Sequence, residues 1–507
     1  MASTFGSARK SQNSALLVLA VVLFSALAGL LASLSSIEVD LILVGLVLGS
    51  TVLFISIDLI SWGYGVLCFL IVGQLLYFGR IQNALWLPYL VGYGLYLRLP
   101  LEYLKHTRDR INPMPNFPAL VVPVYLFIAS VMVSSALNLT PAVQILAGSR
   151  VYIACWSYLF ILLLNHANTL NLLDKQWHKL FAITVIQLPF VMYQYLVIVP
   201  TRSTAGGREG VAWDAVVGGF GGDPMGGGYS GSLAYFLVLT LTLVILMWRK
   251  KQSSIWLVFF VGFMAMLVIL LAEVKVVIVM VPMVMMLIYR KEAFKNPVVF
   301  AFALIFAFGI MVGVLQGYQL IYPESASESH DMMEMFDKAF GYSLNTDATA
   351  FNQETKEISR AMALIFWWSE NGFDDIVHTL FGYGPGASNS LSSFAVSELS
   401  ARYPFIINRA AASQILWDLG LLGFLSYLAL LLMGAWRAMK LIKTVPQQQF
   451  ASTALETSAI GLLLMLVMLP YGLDILYSPA MQLLLTSMLA YIGAFDMLKA
   501  KKPRFQN

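Results

Sequence analysis

Residues 255–291 read IWLVFFVGFMAMLVILLAEVKVVIVMVPMVMMLIYRK. Two apolar runs, 255–271 and 274–289, are parted by a few residues, and the second ends at Arg290 and Lys291. A helix needs ~20 apolar residues to cross the hydrocarbon of a bilayer. The stretch therefore predicts a helical hairpin in a membrane, with Glu273 and Lys275 at its tight turn and a basic anchor at its far end.

The rest of the chain repeats this unit. Of its 507 residues, 59% are apolar and only 11% charged, where a soluble domain carries about 25% charged residues. Further runs fall near 13–35, 37–59, 61–79, 83–104, 117–138, 142–165, 179–199, 231–248, 297–321, 411–436, 454–475 and 479–497. The run at 83–104 is interrupted by Arg98, Pro100 and Glu102. The pattern predicts an all-α polytopic membrane protein with about fourteen transmembrane helices. The start, with Arg9 and Lys10 before a long apolar run and no small-residue cleavage site, reads as a first membrane helix. Cys68 and Cys155 lie inside apolar runs and read as small buried hydrophobes, not as a disulfide or metal pair.

Orientation follows from lysine and arginine, which stay on the cytoplasmic side. The basic stretches 8–10, 105–110, 175–179, 249–251, 290–295, 437–443 and 499–504 all land on one side of the expected spans, which places both termini in the cytoplasm. Two long connections then fall on the outer, periplasmic side, dividing the chain into membrane segments 1–199, 231–321 and 411–507. The first, 200–230, is glycine-rich, with GGFGGDPMGGG at 218–228, and its plainest reading is a flexible link. The second, 322–410, carries Phe366, Trp367, Trp368 and Phe381 and is expected to fold in part as helix, with 354–370 along the membrane surface. The cytoplasmic connections leave no room for a nucleotide-binding domain, and no P-loop or dinucleotide fingerprint appears. No His/Cys cluster or outward acidic motif suggests a metal or cofactor. No nucleic-acid partner is expected.

Chemistry is thus expected outside. Glu273 and Lys275 sit at the outer rim, where ionisable groups are functional or mark a turn. Arg202, Arg208, Arg360, Arg402 and Arg409 lie on the side where arginine is disfavoured, and a guanidinium fork suits phosphate, although loop acids are alternative partners. His330 and His378 are the outward histidines and either is a candidate base; His378 follows Asp374 and Asp375. Asp40, Asp58, Arg98, Arg150, Asp418, Glu456 and Asp474 read as helix-end residues or interhelical pairs, without the mid-depth alignment of an ion pathway.

Four stretches carry a resemblance: IQLPFVMYQYL at 186–196; Arg208 followed by VVGGFGGDP around Gly219; AEVKVVIV at 272–279; and FGYGPGASN at 381–389 with NRAAASQILWDLGLLGFL at 408–425. In order and spacing they resemble the O-antigen ligase and Wzy-type polysaccharide polymerase superfamily of bacterial inner membranes. Lys275 stands where that family commonly has arginine, and Arg409 where its ligases often have histidine, a departure that favours a polymerase over a histidine-dependent ligase. The resemblance implies metal-independent glycosyl transfer on the periplasmic face, from a glycan on undecaprenyl pyrophosphate to another lipid-linked repeat unit. For that reaction the candidate catalytic residues are Glu273, the first choice of base, with Lys275, Arg409 and His378, and the candidate substrate-binding residues are Arg202, Arg208, Arg360, Arg402 and Gly219. Asp375 is a further candidate base. A chain-length regulator and a flippase are the implied partners. The alternatives are a ligase acting on a lipid or protein acceptor, and a polysaccharide flippase or transporter, which the long second connection disfavours.

Overall fold

The computed structural model describes residues 47, 51–77, 84, 86–108, 117–202, 216–221, 229–272, 274–321, 341, 344–346, 356–389 and 397–501. Helix α1 (Ile57–Val66), capped by the Ser56 hydroxyl, passes through a π-helical turn (Leu67–Ile71) into α2 (Val72–Tyr77). Then follow α3 (Trp86–Arg108), α4 (Val122–Leu137), α5 (Ala142–Tyr152), α6 (Trp156–Leu164) and α7 (His166–Tyr193), the last running through a second π turn (Gln194–Ile198) into α8 (Val199–Arg202). Next come α9 (Ser230–Arg249), α10 (Ile255–Ala272), α11 (Val277–Ile288), α12 (Glu292–Lys295) and α13 (Pro297–Ile321). The 322–410 connection contributes α14 (Arg360–Glu370), α15 (Ile376–Phe381) and α16 (Glu398–Ala401), and the chain ends in α17 (Ala411–Ile442), α18 (Phe450–Tyr471), α19 (Asp474–Tyr477) and α20 (Pro479–Lys501).

Among the described residues nine helices are long and apolar enough to cross a membrane, or ten if α5 and α6, bent by 53°, make one span. An all-helical bundle of this kind satisfies its backbone internally, as a bilayer demands. The expected span 13–35 and most of 37–59 lie outside the described residues. Three expectations change. The 83–104 run is helical as α3, but its polar residues form a buried ion pair between Arg98 and Glu102 at 2.9 Å, and Arg98 also donates to the carbonyls of Val52 and Ile55. The 274–289 run is only the short helix α11. The basic stretch 175–179, expected as a connection, lies inside α7. The chain instead turns at Asn165, and the Thr169 hydroxyl donates back to the Leu162 carbonyl.

Helices α9, α18 and α20 form the centre: 89%, 83% and 83% of their spanning windows are buried, against 17% for α13. Their small polar residues, among them Ser232, Thr240, Thr242, Thr457 and Ser458, are fully buried and let backbones approach closely. One end of the bundle gathers basic residues: Glu456 is held by Lys250 and Arg290, each at 2.8 Å, beside the Arg249–Glu292 pair. Helix directions place residues 138–141, 274–276, 356–389, 397–410 and 471–478 at the opposite end, called here the loop end.

The glycine-rich connection differs from a flexible link where it is described. Residues 216–221 are buried in the bundle between the two π turns. Gln194 accepts from the amides of Val217 and Gly218 and donates to the Gly218 carbonyl, while Gln187 accepts from the Gly219 amide at 2.6 Å. A Cβ on Gly73 would lie 2.7 Å from the Gly221 nitrogen, so glycine lets the segments meet. The glutamines supply hydrogen bonds that the buried backbone of this short 3-10 turn needs.

Candidate functional site

Residues 356–389 and 397–410 fold as a cap on the start of α17. An aromatic cluster holds it: Trp367, Leu399, Ile407, Leu416 and Trp417 are buried, with Phe366, Tyr383, Tyr403 and Phe405 against them. The Ile406 amide donates to the Lys356 carbonyl at 2.7 Å, closing the cap's two ends on each other.

Asp418 organises the glycine turn expected at 381–389. Its carboxylate is fully buried and accepts from the Tyr152 hydroxyl (2.7 Å) and from the amides of Gly386 and Ser388 (2.8 Å each). The backbone pairs as well: the Tyr383 amide donates to the Trp417 carbonyl and the Gly384 amide to that of Asp418. This pairing is possible because α17 is broken at Gly420, whose φ is +65°. Asp418 was legible only as a polar residue in an apolar run; its partners lie 30 and 266 residues away.

Beside the turn, His378 Nδ1 lies 2.5 Å from Asp375 Oδ2 and its Nε2 is 3.2 Å from Asn138 Oδ1 on the neighbouring helix α4. Its ring stacks on Tyr383, with centroids 3.9 Å apart. Partial burial pushes the Asp375 carboxyl up, but hydrogen bonds from the His378 ring and amide, with the ring's charge, outweigh that and hold it below its ordinary range. Because the folded value is depressed, the stabilisation is complete above the unfolded carboxyl value near ~4 and is lost as pH falls through the folded value. Limited proteolysis of the cap is therefore expected to be flat from neutral pH down to about 4 and to accelerate below it. Asp375→Asn is expected to lose that acid limb; an unchanged limb would refute the pairing.

The expected cations are distributed around the cap. Arg409 pairs with Glu357 at 2.8 Å. Arg360 opens α14 and lies over the Tyr471 ring at 4.3 Å. Arg402 is exposed at the end of α16. Lys275 is half-buried in the α10–α11 turn at the same end of the bundle. Gly219 is buried with its amide on Gln187, and Arg202 ends α8. Glu273, Arg208 and His330 lie outside the described residues. Arg360, Arg409 and His378 are thus brought to one cap, while Lys275 and Gly219 belong to other segments.

An apolar groove of about 440 Å³ runs between α14, α17 and α18, lined by Leu364, Trp367, Trp368, Leu416, Leu469 and Pro470 among others. Arg360, at the start of α14, lies one helical turn before Leu364, and its ring partner Tyr471 directly follows Pro470; neither is itself part of the lining.

Residues the sequence did not single out as functional also meet here. Arg150 of α5 lies over the rings of Trp86 (5.2 Å) and Tyr477 (5.9 Å), and Gln414 Nε2 donates to the Tyr477 hydroxyl at 3.0 Å. Among the described residues no group of three His, Cys, Asp or Glu side chains is placed to hold a metal ion. The chain matches no protein-family profile, no curated protein and no solved structure.

Proposed function

We propose that this protein is a membrane-embedded glycosyltransferase that joins lipid-linked glycan units, acting as a polymerase at the loop end. The observation that carries the reading is the groove beside Arg360. An apolar groove with a cation one helical turn from its lining suits a substrate that is a long hydrocarbon at one end and an anionic diphosphate at the other. The resemblance of the 186–196, 272–279 and 381–425 stretches to the polymerase superfamily gives the reading its reaction.

In that reaction an acceptor sugar hydroxyl attacks the donor's anomeric carbon. The new glycosidic C–O bond forms as the bond to the lipid diphosphate breaks. The diphosphate leaves with the bonding pair, and the hydroxyl proton passes to a base. Negative charge grows on the leaving group, so fixed cations lower the barrier. Arg360, Arg409 and Lys275 are the candidates, with Arg202, Arg208 and Arg402 as further binding groups. His378, polarised by Asp375, is the candidate base within the cap, and Glu273 the alternative at the α10–α11 turn. The gathering of basic residues at the other end of the bundle supports placing that end in the cytoplasm and the cap in the periplasm.

The test uses purified protein in nanodiscs with undecaprenyl-diphosphate oligosaccharide, without nucleotide, and sizes the products on a gel. A ladder of longer lipid-linked glycans is expected. Arg360→Ala is expected to slow it by about 10–100-fold, and Trp368→Ala to act mainly through weaker substrate binding. An unextended native repeat unit would overturn the polymerase reading.

A further inference from the structure

Among the described residues Arg150 has no ion-pair or hydrogen-bond partner. Its Nε is buried and has no acceptor, and its described contacts are the faces of Trp86 and Tyr477. The side chain is half-buried, so the two Nη groups remain reachable. The nearby carboxylates are engaged elsewhere. Asp418 accepts from Tyr152 and two loop amides, and Asp474 accepts from the Ser232 amide and hydroxyl. Gln414 adds an unpaired buried Oε1 to the same wall through its contact with Tyr477.

A guanidinium has five N–H donors and cannot shed its charge. Aromatic faces offset part of the cost of placing it in the bundle, but they do not accept its in-plane hydrogen bonds. An unpaired cation at membrane depth is a functional feature unless a partner is supplied. The planar fork fits the oxygens of a phosphate group.

We propose that Arg150, held between the faces of Trp86 and Tyr477, is an anion-binding site that takes a phosphate group. The chemistry at Arg150 is the same for a phosphate on a lipid and for one free in water. The site shares no residue with the lining of the groove, and its occupancy does not depend on glycosyl transfer.

The experiment measures thermal unfolding of the whole protein in phosphatidylcholine nanodiscs. Two probes are titrated at constant ionic strength: inorganic pyrophosphate in the buffer, and dioleoyl phosphatidic acid in the disc. A saturable rise in Tm with either probe is expected. A response to pyrophosphate shows access from water, and one to phosphatidic acid alone shows access from lipid. Arg150→Gln is expected to weaken binding at least about tenfold while keeping the ligand-free Tm at or above that of the parent protein. Arg150→Lys keeps the charge without the fork and is expected to fall between the two. Should Arg150→Gln fail to fold, parent-like affinity in Arg150→Lys would overturn the fork assignment, and weakened affinity would support it. No shift with either probe, or an equal shift in Arg150→Gln, would overturn the proposal. Because no turnover is read, failure here is distinct from failure of the polymerase reading.

Discussion

Asp418→Ala is expected to release the cap from the bundle. The substitution leaves the Gly386 and Ser388 amides and the Tyr152 hydroxyl, all buried, without their acceptor. Each orphaned buried donor costs about 1–3 kcal/mol, so a loss on the order of 4 kcal/mol is expected. Asn at the same position keeps the shape but offers one acceptor oxygen in place of two, and its amide opposes a backbone N–H. Asp418→Asn is therefore expected to fall between parent and Ala, and Tyr152→Phe to cost only about 1 kcal/mol. Detergent-titrated unfolding gives the ranking, and hydrogen exchange of residues 382–389 shows whether the turn opens first. Equal protection of that turn in Asp418→Ala would mean that something other than the carboxylate holds it.

Gly420→Ala is the second large effect. Gly420 has φ +65° and ψ −165°, a region that side chains with a Cβ avoid. A Cβ there would sit 2.5 Å from the Leu380 carbonyl oxygen, and one on Gly382 would sit 2.5 Å from that of Asp418. Backbone cannot rotate aside as a side chain does, so strain and displacement together are expected to cost on the order of 4 kcal/mol. Gly309 in α13 is the control: an added Cβ meets nothing within 4 Å, so Gly309→Ala is expected to be neutral or to gain about 0.5–1 kcal/mol from helix propensity. A Gly420→Ala protein as stable as Gly309→Ala would show that α17 can close its break. The expected closure is a straightened helix and a lost 382–384 pairing, which would disturb the cap's position over the groove.

Helix positions were largely legible because a bilayer imposes one local condition, a run of apolar residues long enough to span it. Helices α4, α9, α10, α13, α17, α18 and α20 follow their runs closely, and the aromatic residues of 356–410 announced a folded region. Legibility failed where a polar residue is satisfied by something distant in sequence. Arg98 and Glu102 looked like interruptions and are a buried pair; Gln187 and Gln194 looked like ordinary span residues and hold residues 217–219 inside the bundle.

The candidate site divides in the same way. Arg360, Arg409 and His378 were found from residue type and loop position, since cations and a histidine on the disfavoured side stand out locally. Their separate partners, Tyr471, Glu357 and Asn138, came only from folding. Arg150 is the sharpest case. In sequence it is one arginine near a helix end, and an interhelical pair was its natural reading. The bend between α5 and α6 instead leaves it among aromatic faces, while Asp418 and Asp474 are held by other donors. The sequence by itself determined the apolar solvent and the helical class, because each depends on composition within one segment. Only the tertiary structure decided which charges are neutralised and which stand open, because that depends on which donors and acceptors packing brings within about 3 Å of one another.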